Sequence, residues 1–157
     1  MHLIRSKQIL LDTNAFIYFL DGEEPYFSVL IPIFRRIQAG DLSVIVSAIT
    51  EAELLVRPER DENEMAKERI ADLLSENGVY VVSMDRKIAR RAAALRGRTR
   101  FKLADAIIVA TAVETGCDAI VGNDGEWSRK LLDIPFVRLD DLIGKSSPLS
   151  PKAEVKE

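Results

Sequence analysis

Four stretches of this chain place an acid where one apolar run ends and another begins: "ILLDTNAFIYFL" around Asp12, "SAITEAELLV" around Glu51 and Glu53, "KLADAIIVATAVETG" around Asp105, and "AIVGNDGEW" around Asp124 and Glu126. A buried strand has no use for a carboxylate at its tip, so each acid has a bland explanation and a chemical one. Asp12 could be an ordinary helix N-cap. Thr50 and Glu53 have capping-box spacing, and Asp124 lies in a Gly-Asn-Asp-Gly run with strong turn chemistry. Asp105 is harder to explain away. The helical pattern from Leu103 to Val113 is apolar on nearly every face. The helix dipole returns only about 0.3–1 kcal/mol to a first-turn carboxylate, whereas an unpaired buried charge costs several kcal/mol. Lys102 or a bound metal could supply the missing positive charge. If the acids converge, each pair about 4 Å apart repels by about 4 kcal/mol at an effective dielectric near 20, and a divalent cation is the natural remedy. All-oxygen ligands suit Mg2+ or Mn2+, and one or two such ions activate water and stabilise the leaving oxygen in phosphodiester cleavage.

The elements that would carry these acids read as a βαβ series. Short apolar runs predict strands at "QILLD", "LSVIVS", "VYVVS", "DAIVG" and "FVRL", and the stretches between them predict helices over 14–21, 26–39, 48–57, 62–76, 85–97, 103–116 and 126–132. Gly40, Gly78 and Gly116 fall just past helical patterns, where a left-handed cap suits glycine. Pro58 predicts a stop for the third helix. In that helix Glu51 and Glu53 lie on either flank of an apolar stripe of Ala48, Ile49, Ala52, Leu55 and Val56, and helical geometry does not choose between them. The expected fold is a single α/β domain over residues 1–144, with a central, mostly parallel sheet of four to five strands flanked by helices on both faces. The Pro/Ser-rich end from Lys145, "KSSPLSPKAEVKE", is expected to be disordered. Open α/β sheets bind ligands beyond the carboxyl ends of their strands, where strand order reverses. Asp12 would lie there.

Composition narrows the chemistry. A chain of 157 residues fits one domain with a real core. Its longest apolar stretches, such as "LIPIF" and "AIIVATAV", fall well short of the roughly 18–20 residues that cross a bilayer. Met1 to Gln8 lacks the apolar core of a signal peptide, so a cytoplasmic protein is expected. Cys117 is the only cysteine, which excludes an internal disulfide and a cysteine-based metal knot and leaves it a packing role. The only histidine, His2, falls in a terminus expected to fray. That argues against a Ser-His-Asp triad, a paired-histidine ribonuclease site and a His-rich zinc site, so any chemistry must run on carboxylates. A net charge of −3 names no partner, but residues 86–102, "RKIARRAAALRGRTRFK", carry eight Lys/Arg and no acid. The stretch from Glu51 to Glu76 is predominantly acidic. On charge alone a solvated helix face accounts for the basic run.

Taken together, "LLDTNAFI", "SAITEAELL", "KLADAIIVATA" and "IVGNDGEW" resemble the PIN-domain nucleases in order and at comparable separations. The likeness spans roughly residues 8–143 and is greatest to VapC-like members, the ribonuclease toxins of bacterial and archaeal toxin-antitoxin pairs. The resemblance implies a quartet of catalytic, metal-binding acids, Asp12, Glu53, Asp105 and Asp124, that take Mg2+ with Mn2+ as a substitute. It selects Glu53, preceded by Thr50 and followed by Leu54, and sets Glu51 aside. Trp127 matches the aromatic position after the last acid. Thr13 and Asn14 match small polar residues that orient the first acid or a water, with Thr50 in support. Gly122 departs from the pattern, standing where the family usually has Thr or Ser, and Glu126 is the acid that could substitute for or supplement Asp124. The implied activity is hydrolysis of RNA by an activated water, in a homodimer inhibited by a separate antitoxin protein. A nuclease needs cations along the phosphate backbone, which makes Arg90, Arg91, Arg96, Arg98, Arg100 and Lys102 candidate RNA contacts. Two other readings compete. One is a weak or inactive PIN module that binds RNA or a protein partner. The other is a magnesium-dependent phosphatase with Asp12 as nucleophile, which would want Asp-x-Asp where position 14 is Asn.

Overall fold

Strands that lie between two helical layers must be apolar on both faces, and the central ones of this chain are, with residues 9–11, 44–46 and 119–121 all buried. A computed structural model describes residues 2–130 and 133–145. The elements run α1 (His2–Arg5), β1 (Gln8–Leu11), α2 (Thr13–Asp21), α3 (Tyr26–Gln38), β2 (Ser43–Ser47), α4 (Ala48–Arg60), α5 (Glu64–Leu74), β3 (Val79–Val82), α6 (Arg86–Thr99), α7 (Leu103–Glu114), β4 (Ala119–Gly122), α8 (Trp127–Lys130) and β5 (Phe136–Arg138), followed by a 3-10 turn at Leu139–Leu142. The strands form one parallel sheet in the order β3-β2-β1-β4-β5.

The pleat divides the core in two. Ile9, Leu11, Val44, Val46, Ala119 and Val121 face one layer, where they pack with Phe16, Leu30, Ile33, Leu54 and Ile70 from α2 to α5. Leu10, Ile45 and Ile120, which are direct neighbours in register, face the other layer and pack under α6 and α7. Each such side chain contributes about 1.5–3 kcal/mol by leaving water. The buried helix expected around Asp105 is α7, whose residues from Ala106 to Ala112 are all buried. Gly116 takes the left-handed conformation just past it (φ 70°), letting the Cys117 amide reach back to the Ala112 carbonyl at 2.9 Å.

Strand order reverses at β1. The chain builds β2 and β3 on one side of it and then crosses to β4 and β5 on the other. The carboxyl ends of β1 and β4 therefore flank the crevice where ligands of open α/β sheets bind. The Asp12 amide extends the ladder there, donating to the Val121 carbonyl at 2.9 Å.

Several local expectations are corrected. The third predicted helix does not stop at Pro58: α4 continues to Arg60 with Pro58 inside it. One helical hydrogen bond is forgone, but the Pro58 ring is buried on the same stripe as Thr50 and Leu54. That stripe also replaces the predicted one, since Ala52 is exposed and Val56 is 61% exposed. The capping box is absent because Ser47, not Thr50, is the N-cap, its hydroxyl accepting from the Ile49 amide at 3.2 Å. The N-terminal segment is not frayed: α1 buries Leu3, and the Arg36 guanidinium donates to the carbonyls of Leu3 (2.5 Å) and Ser6 (2.8 Å). The predicted helix over 103–116 ends at Glu114, and the turn at Leu139–Leu142 was not expected. Residues 131–132 of the last predicted helix and 146–157 of the predicted tail lie outside the described residues.

Candidate active site

At the carboxyl end of β1, Asp12 holds the N-cap position of α2, yet its side chain makes no capping hydrogen bond. The bland explanation of the opening stretch is thereby removed. Asp12 is only 5% exposed, and among the described residues no lysine or arginine pairs with it. Burial first of all pushes its carboxyl from 3.8 up to about 7, assisted by the negative charges of Glu53, Asp105 and Asp124 and opposed by a hydrogen bond from the Thr13 amide. Three acids that lie far apart in sequence thus act on Asp12 in space.

Each acid arrives on a different element. Glu53 sits on the second turn of α4, the helix that Ser47 launches directly from the end of β2. Exposed as a residue, it nevertheless has its carboxyl raised, by partial burial and then by the charge of Asp105, against a hydrogen bond from the Thr13 hydroxyl. Glu51, the alternative that helical geometry left open, is absent from the charges acting on Asp12. Asp105 is half-buried in the first turn of α7. Lys102, its suggested partner, is exposed and makes no ion pair among the described residues. Asp124 follows β4 and spends one carboxylate oxygen on the Glu126 amide at 2.8 Å, so turn chemistry and proximity to Asp12 hold at once. Glu126 itself is exposed.

A lining of buried hydroxyls surrounds these acids. Thr13 and Thr50 are buried, and Thr13 Oγ1 donates to Thr50 Oγ1 at 3.2 Å; its single proton serves either that oxygen or Glu53. Asn14 is exposed and makes no side-chain hydrogen bond among the described residues. Ser47, which is 1% exposed, was not singled out as a site residue, although a serine between an apolar strand and a helix carries the N-cap signal. The loop that bears Asp124 is secured from β5 and the turn after it. The Asp140 amide donates to Asn123 Oδ1 at 3.2 Å, the Tyr26 hydroxyl donates to Asp140 Oδ1 at 2.7 Å, and Arg138 Nη2 pairs with Asp140 Oδ2 at 2.6 Å. The Tyr26 hydrogen bond holds the Asp140 carboxyl below the usual carboxylate range.

Among the described residues no group of three or more His, Cys, Asp or Glu side chains is drawn together as a ready-made metal cage. Repulsion of about 4 kcal/mol for a carboxylate pair about 4 Å apart gives the acids reason to stand apart. The donor set still fits a small divalent cation. It is all oxygen, its central carboxylate is buried without a compensating cation, and Mg2+ keeps several waters and needs only one or two protein carboxylates.

The six candidate RNA contacts divide by their partners. Arg91 pairs with Glu114, which Lys87 also approaches at 3.6 Å. Arg96 Nη1 donates to the Phe101 carbonyl at 2.9 Å, and Arg98 Nη2 pairs with Asp133 at 2.8 Å. Arg90, Arg100 and Lys102 are exposed and carry no such bond among the described residues. Arg100 adopts the left-handed conformation (φ 57°) at the end of α6, in the turn that leads into Asp105. Phe101 beside it packs edge-on against Trp127, their ring centroids 5.9 Å apart, which ties that turn to the loop bearing Asp124.

The family model described as PIN domain matches residues 9–130. None of the curated proteins matches significantly. Among solved structures, this chain is similar to a toxin-antitoxin complex from Klebsiella pneumoniae, at 26% identity over 83% of this chain and 97% of that one, with a TM-score of 0.63. It is also similar to VapBC2 from Rickettsia felis bound to a DNA fragment from their promoter, at 17% identity over 83% and 98% of the two chains and a TM-score of 0.67. The sarcin-ricin loop cleaving toxin VapC20 from Mycobacterium tuberculosis matches at 18% identity over 77% and 93%, with a TM-score of 0.61. At 17 and 18% identity the likeness establishes the fold.

Proposed function

The chain belongs to the PIN domain family, and from that premise we propose that it is a divalent-metal-dependent endoribonuclease, the toxin of a toxin-antitoxin pair. The observation that carries this reading is Asp12: a buried carboxylate at the switch point of a parallel sheet, released from capping and acted on by three further acids. Such a group is unfavourable in a purely structural role, because desolvation and like charges both oppose its ionised form.

Asp12, Glu53, Asp105 and Asp124 would hold Mg2+, with Mn2+ as a substitute. When bound, the cation supplies positive charge to offset the charge that develops on the phosphate and eases deprotonation of the attacking water. The protein's own part is placement. Asp12 is fixed by the ladder bond of its amide to Val121. Glu53 is oriented when the Thr13 hydroxyl donates to it in place of Thr50, and Asp124 is oriented by its turn and by the Asn123 contact to Asp140. The substrate backbone would lie over the turn from Arg100 to Lys102, with Arg90 extending the positive surface. Arg91, Arg96 and Arg98 would contact RNA only by exchanging the partners they already hold. Homodimer formation, inhibition by a cognate antitoxin and residence in the cytoplasm complete the proposal. The similarity to toxin-antitoxin complexes supports the antitoxin partner, and among the described residues no helix is long and apolar enough to cross a membrane.

The test is cleavage of a mixed RNA pool by purified protein and by Asp105→Asn, each with Mg2+, with Mn2+ and with EDTA. Cleavage that needs both the cation and Asp105 is the expected result. Cleavage that survives EDTA or Asp105→Asn would refute the reading.

A further inference from the structure

Gly122 ends β4 beside Asp12, and its backbone is not in the left-handed region, so conformational freedom is not what glycine provides here. Space is. A Cβ added at position 122 would lie 2.9 Å from Asp12 Cβ, 3.3 Å from Asp12 Oδ2 and 3.4 Å from Phe136 Cε2. The first distance is shorter than real Cβ atoms show, and the atom it meets belongs to the rigid base of a side chain. Neither strand end can yield easily. The Asp12 amide is bonded to Val121 at 2.9 Å, and Gly122 is in register with Arg138 on β5.

We propose that Gly122 is a positioning residue: the missing side chain is the space that Asp12 occupies, and it determines where the central carboxylate stands relative to the other three acids. This rests on the proposed metal site and deepens it. A side chain at 122 would push Asp12 away from β4, and a serine hydroxyl there would not compensate, because the collision begins at Cβ.

The experiment measures Mn2+ binding by calorimetry, with Mn2+ as the only added ligand, for wild type, Asp105→Asn, Gly122→Ala, Gly122→Ser and Gly97→Ala. The last is a control, because a Cβ at Gly97 meets nothing within 4 Å. Both Gly122 variants should bind Mn2+ about 10- to 100-fold more weakly, the range typical of residues that orient a ligand, while Gly97→Ala binds as wild type. Urea denaturation without metal should show that Gly122→Ala costs less stability in an Asp12→Gly background than in an Asp12→Asn background, since both remove the charge and only the first removes the colliding Cβ. Wild-type affinity in folded Gly122→Ala overturns the inference while leaving the metal site standing. Equal binding by wild type and Asp105→Asn, or none by wild type, overturns the metal site and the inference with it. If Gly122→Ala does not fold, rescue by Asp12→Gly but not by Asp12→Asn, which removes the charge and keeps Cβ, supports the contact, and rescue by both or by neither overturns it.

Discussion

Replacing Asp12 by Asn should stabilise the metal-free protein, and the structure supplies the size of the effect. Asp12 is 5% exposed, and burial chiefly pushes its carboxyl from 3.8 up to about 7. Those values differ by about 3, and each pKa unit corresponds to about 1.4 kcal/mol, so ionised Asp12 weighs against the folded state by up to about 4 kcal/mol. The sign follows from proton binding. Between about pH 4 and pH 7 the folded chain holds a proton on Asp12 that the unfolded chain has lost, so stability present at acid pH falls as pH rises through about 7. Asparagine has the same shape, carries no charge and keeps an oxygen for the Thr13 amide. Metal-free Asp12→Asn should therefore exceed wild type at pH 8 and converge with it near pH 4. For a chain of this size about 1 kcal/mol corresponds to 2–4 °C in Tm, which sets a ceiling of about 8–16 °C. Urea denaturation in EDTA from pH 4.5 to 8, followed by circular dichroism, measures the gap. Repetition with Mn2+ should raise the stability of wild type and leave the variant unmoved. A variant less stable than wild type at pH 8, or a gap of the same size at pH 5 and pH 8, would refute the reasoning.

Glu53→Gln should weaken Mn2+ binding and metal-dependent cleavage by about 10- to 100-fold, whereas Glu51→Gln should leave both near wild type; calorimetry and a cleavage time course on the same samples decide. Arg100→Gly should relieve about 1 kcal/mol of left-handed backbone strain and so raise stability in urea. In RNA binding measured over a salt series it should weaken affinity and reduce the salt slope by about 1, an effect larger than that of Arg91→Ala, whose charge Glu114 already engages.

Much of the fold was legible because its central strands β1, β2 and β4 are buried on both faces. A strand such as Ile9-Leu10-Leu11 must be apolar at every position when both faces are covered, and that continuous run, broken by Asp12, is visible without knowledge of any partner. The βαβ alternation, the buried α7 and the location of Asp12 beyond a strand end follow from such local patterns. The course of α4 did not. Pro58 is a sound stop signal in isolation, but burial beside Thr50 and Leu54 outweighs one lost hydrogen bond. The same packing turned Ala52 and Val56 outward and put Glu53 on the side of the acids. Family resemblance, not helical spacing, had selected Glu53, and the contact with Thr13 supplies the physical cause. Gly122 was readable only as a departure from a pattern. Its meaning depends on β4 lying against β1, which is a consequence of strand order. Local sequence determines which faces are apolar and where elements begin. Only the assembled sheet decides which distant side chains share the crevice, because that depends on how whole layers pack rather than on any one segment.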